Sequence, residues 1–162
     1  MKKVIVIGPC GAGKSRFSTK LGKLLNIPVH HLDNIWWKKD KTHITREEFD
    51  IKLEKIVKKE EWIIDGDYHR TYEVRMDACD TIIFLDYSLD VCIRGVANRV
   101  GKHRSDIPWD SSEVDPDFVL WIKKWFKEEL PKTKELLEKY KTTKEVIIFH
   151  NRDEANEYLE KI

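Results

Sequence analysis

The chain is predicted to be an α/β protein built on a parallel sheet, and three observations predict it. Five short extended runs, at residues 4–7, 29–32, 61–66, 81–86 and 146–149, alternate with stretches of helical periodicity. The second, third and fourth runs lead to aspartates, Asp33, Asp65 and Asp86, and ligands of open parallel sheets gather at the carboxyl ends of strands. The first run passes into a glycine-rich turn that opens a helix. Strands separated by helices pair in parallel through right-handed crossovers, which fixes the class.

The turn reads Gly8, Pro9, Cys10, Gly11, Ala12, Gly13, Lys14, Ser15 and satisfies the pattern G-x-x-x-x-G-K-[ST]. Glycines there allow positive φ, so successive N–H groups and the helix N-terminus can point at phosphate oxygens. Lys14 is expected to neutralise the β and γ oxygens, and Ser15 to offer a hydroxyl to magnesium. The ligand expected is a nucleoside triphosphate, ATP with Mg2+, bound by residues 8–15 and Arg16. For Cys10 two readings stand: a thiol whose pKa Lys14 and the helix terminus lower, or one that points away from the ligand.

At 162 residues the chain is expected to form one domain with helices on both faces of the sheet. Lys and Arg number 30 against 29 Asp and Glu, so no global charge draws the chain to nucleic acid or an anionic membrane. Direct DNA binding is not expected. No apolar run is long enough to span a bilayer, and a cytoplasmic location is expected. The three cysteines include no C-x-x-C pair, and the six histidines show no metal spacing. Adjacent His30 and His31 would face opposite sides of a strand.

Taken in order, a helix at 16–25 stops at Asn26 to Pro28, and the second strand leads to Asp33. A carboxylate at that edge suits holding or deprotonating a substrate hydroxyl, with a helix or turn cap as the alternative. Trp36 and Trp37 either stack on a planar substrate or bury the next helix. Thr45 to Glu48 reads as a capping box, opening a helix to residue 59. Asp65, followed by Gly66, is the first choice for the carboxylate of the magnesium shell, and Asp86 the reserve. Arg70, five residues beyond Asp65, is expected to face the same crevice. A helix at 89–100 carries Arg94 and Arg99 ahead of Lys102, His103 and Arg104. On a helix Arg94 and Arg99 lie about 140° apart, which favours Arg99 as the closer phosphate partner. The long loop at 101–116 fits a lid. Helices are expected at 117–130, with Phe118, Trp121, Ile122, Trp125 and Phe126 on one stripe, and from Pro131 to 141. Asn151 and Arg152 follow the fifth strand as nucleotide-contact candidates, and a closing helix begins at Asp153.

Four segments together resemble the small P-loop kinases related to adenylate kinase, and within them the DNA topology modulation (FlaR-like) group. They are GPCGAGKS at 8–15, NIPVHHLDNIWWK at 26–38, EEWIIDGDYHRT at 60–71 and DTIIFLDYS at 80–88. The resemblance implies one domain over 1–162, with a five-stranded parallel sheet in the order 2-3-1-4-5. It also implies an acceptor region at about 33–60, an arginine-bearing lid at about 99–117, and an acceptor held between Asp33 and Arg70. The catalytic set so implied is Lys14, Asp33, Arg70, Arg94 and Arg99, with Arg104 on the nucleotide. Adenylate kinases carry an arginine three residues beyond the Asp33 position, where Trp36 stands here. The expected activity is therefore a small-molecule kinase whose unidentified acceptor is a nucleoside or nucleotide-like compound. The alternative is an ATPase or nucleotide-dependent regulator linked to DNA topology.

Overall fold

A computed structural model describes residues 1–162. Strands β1 (Lys3–Ile7), β2 (Val29–His31), β3 (Trp62–Asp65), β4 (Thr81–Leu85) and β5 (Glu145–Phe149) form one sheet in the order β2-β3-β1-β4-β5. Every pairing is parallel. Apart from Lys3, the three central strands are buried at every position, as a sheet covered on both faces requires. Alternation sorts their side chains between two cores. Ile5, Ile7 and Ile64 face Phe49, Trp125 and Leu137; Val4, Val6 and Ile63 face Phe17, Leu21 and Leu159. Register brings the site together, since Asp65 stands opposite both Val6 and His31. The carboxyl ends of β2, β3 and β1 therefore share one edge.

Helices α1 (Lys14–Leu25), α2 (Leu32–Trp36), α3 (Arg46–Val57), α4 (Tyr72–Ala78), α5 (Leu89–Ala97), α6 (Pro116–Tyr140) and α7 (Arg152–Glu160) cover the sheet. The expected capping box opens α3: Thr45 Oγ1 accepts from the Glu48 N–H, and Glu48 accepts from the Thr45 N–H.

Three expectations need correction. The second strand stops at His31, and Asp33 lies in the first turn of α2 instead of at a strand end. Leu32, fully buried, packs under Gly66, where an added Cβ would stand 2.9 Å from the leucine Cβ; that contact turns the chain into the helix. Next, Pro131 starts no helix but lies within α6, which runs unbroken for 25 residues. An interior proline costs about 3 kcal/mol, yet both halves of α6 are anchored in one core, through Trp125 on one side and Leu137 and Tyr140 on the other. Lastly, the aromatic stripe is narrower than expected. Ile122 and Trp125 are buried, while Trp121, at its edge, is 46% exposed and stacks on Phe118.

Candidate active site

The turn after β1 has the geometry its glycines permit, with φ of 141°, 86° and 95° at Gly8, Gly11 and Gly13. Gly13 sits at the N-cap of α1 without a side-chain cap, which leaves the helix's first N–H groups for an anion. Lys14 Nζ donates to the loop's own carbonyls, Gly8 at 2.8 Å and Pro9 at 3.0 Å. Burial pushes the Cys10 thiol up to about 11, outweighing the nearby Lys14, so no thiolate forms there.

Helix α5 braces this loop from behind. A Cβ on Gly95 would fall 2.0 Å from the Gly11 carbonyl oxygen, and one on Gly11 would fall 1.9 Å from that of Cys92. Arg152 Nη2 donates to the same Gly11 oxygen at 3.3 Å. A cavity of 90 Å³ beside the loop is lined by Ala12, Gly13, Arg16, Tyr87, Arg152 and Asn156, among others. Asn151 has a different task from the one expected: its side chain caps α7, accepting from the Glu154 N–H.

Carboxylates gather at the edge facing the loop. Asp33 Oδ1 accepts a hydrogen bond of 2.7 Å from the Tyr68 hydroxyl. Burial lifts the Asp33 carboxyl above its ordinary value, against the Tyr68 bond and the charge of Lys14, while Asp65 and Asp106 lift it further. The side chain makes no cap, which removes that alternative. Asp65, 3% exposed, lies 2.7 Å from His31 Nδ1. Burial lowers the His31 pKa, but its bond to Asp65 and that carboxylate's charge raise it by more.

Tyr68 is held in the left-handed region, at φ 37°, a conformation that a bulky side chain adopts only when its surroundings impose it. Arg75 imposes it. Its guanidinium is fully buried and donates to the carbonyls of Gly66, Asp67 and Tyr68 and to Thr71 Oγ1. The 3₁₀ turn His69–Thr71 follows directly.

The segment after α5 is docked onto this edge. Asn34 Nδ2 donates to the Ser105 carbonyl at 2.7 Å, and Trp109 meets Trp37 edge to face at 5.3 Å. Ser15 Oγ donates to Asp106 Oδ2 at 2.7 Å. Arg104 grips both oxygens of Asp106, at 3.1 and 2.7 Å. Burial would raise the Asp106 carboxyl, but the bonds from Arg104 and Ser15 carry it down to about 2. Arg99 is half-buried, and the charged groups that act on it include Arg104, Asp106 and Asp33.

The expected set is thus brought together only in part. Ser15 and Arg104 meet at Asp106, and the charges of Lys14, Asp65 and Arg99 act on Asp33. Arg94 joins neither group: α5 ends at Ala97, short of the expected 100, and Arg94 is left exposed to solvent. Arg70 gives both Nη atoms to Asp50 of α3, at 3.0 and 2.7 Å, so no clamp opposite Asp33 is formed. The Asp86 carboxylate is 2.9 Å from Lys134 and 3.5 Å from His150, which draws it toward α6 and β5. Trp36 stacks on His43 at 4.3 Å and makes edge contacts with Phe49 and Tyr68, so it is a packing residue. Asp106, Tyr68, Arg75 and Gly95 escaped the sequence reading. Gly95, inside an apolar helical pattern, was the one with a legible signal, because such a glycine marks a close backbone approach.

No family model and no curated protein matches the chain. Solved structures do. Shikimate kinase from Bacteroides thetaiotaomicron superposes with a TM-score of 0.62 at 17% identity, over 98% of this chain and 94% of that one. A gluconokinase from Sinorhizobium meliloti gives 0.57 at 11%, over 99% and 92%. Deoxyadenosine kinase from M. mycoides with bound dCTP gives 0.51 at 15%, over 98% and 96%. At such identities the likeness is one of architecture: the chain has the five-stranded parallel α/β fold of the P-loop kinases.

Proposed function

We propose that the chain is an ATP- and Mg2+-dependent small-molecule kinase, passing the γ-phosphate to a hydroxyl of a nucleoside or nucleotide-like acceptor held at Asp33. The observation that carries this reading is the Asp33 carboxylate. It is lifted by burial, bonded only to Tyr68, and acted on by the charge of Lys14 of the glycine-rich loop. A raised carboxylate is better matched to taking a proton near neutral pH, and a switch or simple hydrolase would have no need of one there. The proteins of like fold are named as kinases, which agrees.

In this reading Lys14 exchanges the Gly8 and Pro9 carbonyls for phosphate oxygens, and the N–H groups of residues 10–16 cradle the triphosphate. Asp33 takes the acceptor's proton as its oxygen attacks. Arg99, beside the loop and short of counter-ions, donates to the moving phosphoryl group, while Arg104 and Arg152 steady the nucleotide. The donors fit magnesium: Ser15 and Asp65 are hard oxygen ligands. Such an ion would be held largely by phosphates and water. When bound, the ion would supply positive charge to the phosphate oxygens.

The test is ADP formation from MgATP across nucleosides, nucleotides and small metabolites. One acceptor should raise the rate above the acceptor-free level. Asp33→Asn should cut that rate by about 10²-fold or more while ATP affinity stays near wild type. ATP consumption that no acceptor stimulates would assign a hydrolase, or a nucleotide-dependent regulator linked to DNA topology, instead.

A further inference from the structure

The charges around Asp33 restrict what can sit beside it. Each cation of the elements that face it is already engaged or turned outward. Arg70 is forked onto Asp50. Arg75 is fully buried, and its donors are satisfied by Gly66, Asp67, Tyr68 and Thr71. The other basic side chains of α2, α3 and the loop between them lie on the exposed surface.

The charges that remain are paired with one another or belong to the glycine-rich loop and the segment beside it. Asp65 and Asp106 are the carboxylates whose charge reaches Asp33, and the cations coupled to it are Lys14, Arg99 and, when protonated, His31. Lys14 belongs to the glycine-rich loop, and Arg99 and Arg104 flank it from the segment after α5. These three are the groups a triphosphate would take. The rest of the wall is uncharged: the Tyr68 hydroxyl, Asn34, and the indoles of Trp37 and Trp109. His31 is bonded to Asp65 and offsets that carboxylate, not an incoming ligand.

A phosphate or carboxylate on the acceptor would therefore meet Asp33 with no free arginine on that side to pair it, and exclusion by uncompensated like charge is an effective means of selectivity. From this juxtaposition we infer that the acceptor bears no anionic group: it is a neutral or cationic hydroxyl compound, of the nucleoside, polyol or amino-alcohol class. The inference rests on the kinase reading and narrows it by removing nucleotide-like acceptors. Indole faces and the tyrosine edge offer stacking and a hydroxyl contact, the recognition such compounds can use.

Matched pairs test it: nucleosides against their 5′-monophosphates, glucitol against gluconate, ethanolamine against glycolate, each with MgATP and read as ADP formation. A neutral or cationic member should be turned over with a kcat/KM at least about 10²-fold above its anionic partner. In Asp106→Asn, which removes one carboxylate without changing the shape, that ratio should shrink by about fivefold or more. An anionic member used as well as its partner overturns the inference and leaves the kinase reading standing. A large ratio that Asp106→Asn leaves unchanged overturns the electrostatic cause. ADP formation that no member of any pair raises overturns the kinase reading, and this inference with it.

Discussion

The Tyr68 hydroxyl donates to Asp33 Oδ1 at 2.7 Å, across 35 residues of sequence, from a backbone held at φ 37°. Two opposed effects set the carboxylate's basicity. Burial raises its pKa and the phenol's hydrogen bond lowers it, because that bond favours the ionised form.

Replacing Tyr68 by Phe removes the lowering effect and leaves the burial. The Asp33 pKa should then rise further. Since a base must be ionised to act, the acid limb of the pH–rate profile should move to higher pH. The shift should be about one unit, the equivalent of a hydrogen bond to a charged group. An unmoved limb would mean that Asp33 is not the titrating base.

The Ser15–Asp106 bond occupies the hydroxyl that a magnesium nucleotide would need under the proposed function, and it would set a carboxylate against the triphosphate. Asp106→Asn should tighten ATP binding without magnesium by about fivefold, on the scale of one like-charge contact, as read by titration calorimetry. Weaker binding would show that Asp106 helps to hold the nucleotide. The segment that carries Asp106 should also respond to acid. With the Asp106 carboxyl at about 2 against an ordinary 3.8, its stabilisation is complete above the ordinary value and lost as pH falls through the lower one. The loss amounts to roughly 2 kcal/mol. Tryptophan fluorescence, sensitive to the Trp37–Trp109 contact, should change in that window in the wild type and not in the variant.

Gly95→Ala places a methyl group 2.0 Å from the Gly11 carbonyl oxygen. Backbone lies on both sides, so the loop must shift. The expected cost is about 1–3 kcal/mol of stability, with ATP affinity reduced by about tenfold or more. A melting curve and a nucleotide titration read the two effects. Wild-type affinity in the variant would show that α5 does not set the loop's position.

How far the sequence revealed this site depends on how local each signal was. The glycine-rich turn, the capping box at Thr45 and the central strands are written in contiguous residues, and they fold as their patterns require. Asp33 was legible as a carboxylate near the carboxyl edge of the sheet, but its helix was not, because the burial of Leu32 under Gly66 is a tertiary contact. Arg70 and Arg75 show the same difficulty. Both are arginines within one short stretch, and only the fold decides that one reaches Asp50 while the other is buried against backbone carbonyls. Asp106 had no signal at all, since its partner Ser15 is 91 residues away. Pro131 misled for a related reason: a local rule for ending helices yields when burial holds both halves of α6.

The most direct test of the central claim is a nucleotide titration of the wild type beside Lys14→Ala. Lys14 bonds only to carbonyls of its own loop, so its loss should leave the circular dichroism spectrum unchanged. Wild-type protein should bind MgATP, and the variant should bind it at least about 10²-fold more weakly, because a charge-assisted contact to the β and γ oxygens is gone. Equal affinities with both folds intact would contradict the assignment of residues 8–15 as the phosphate-binding loop.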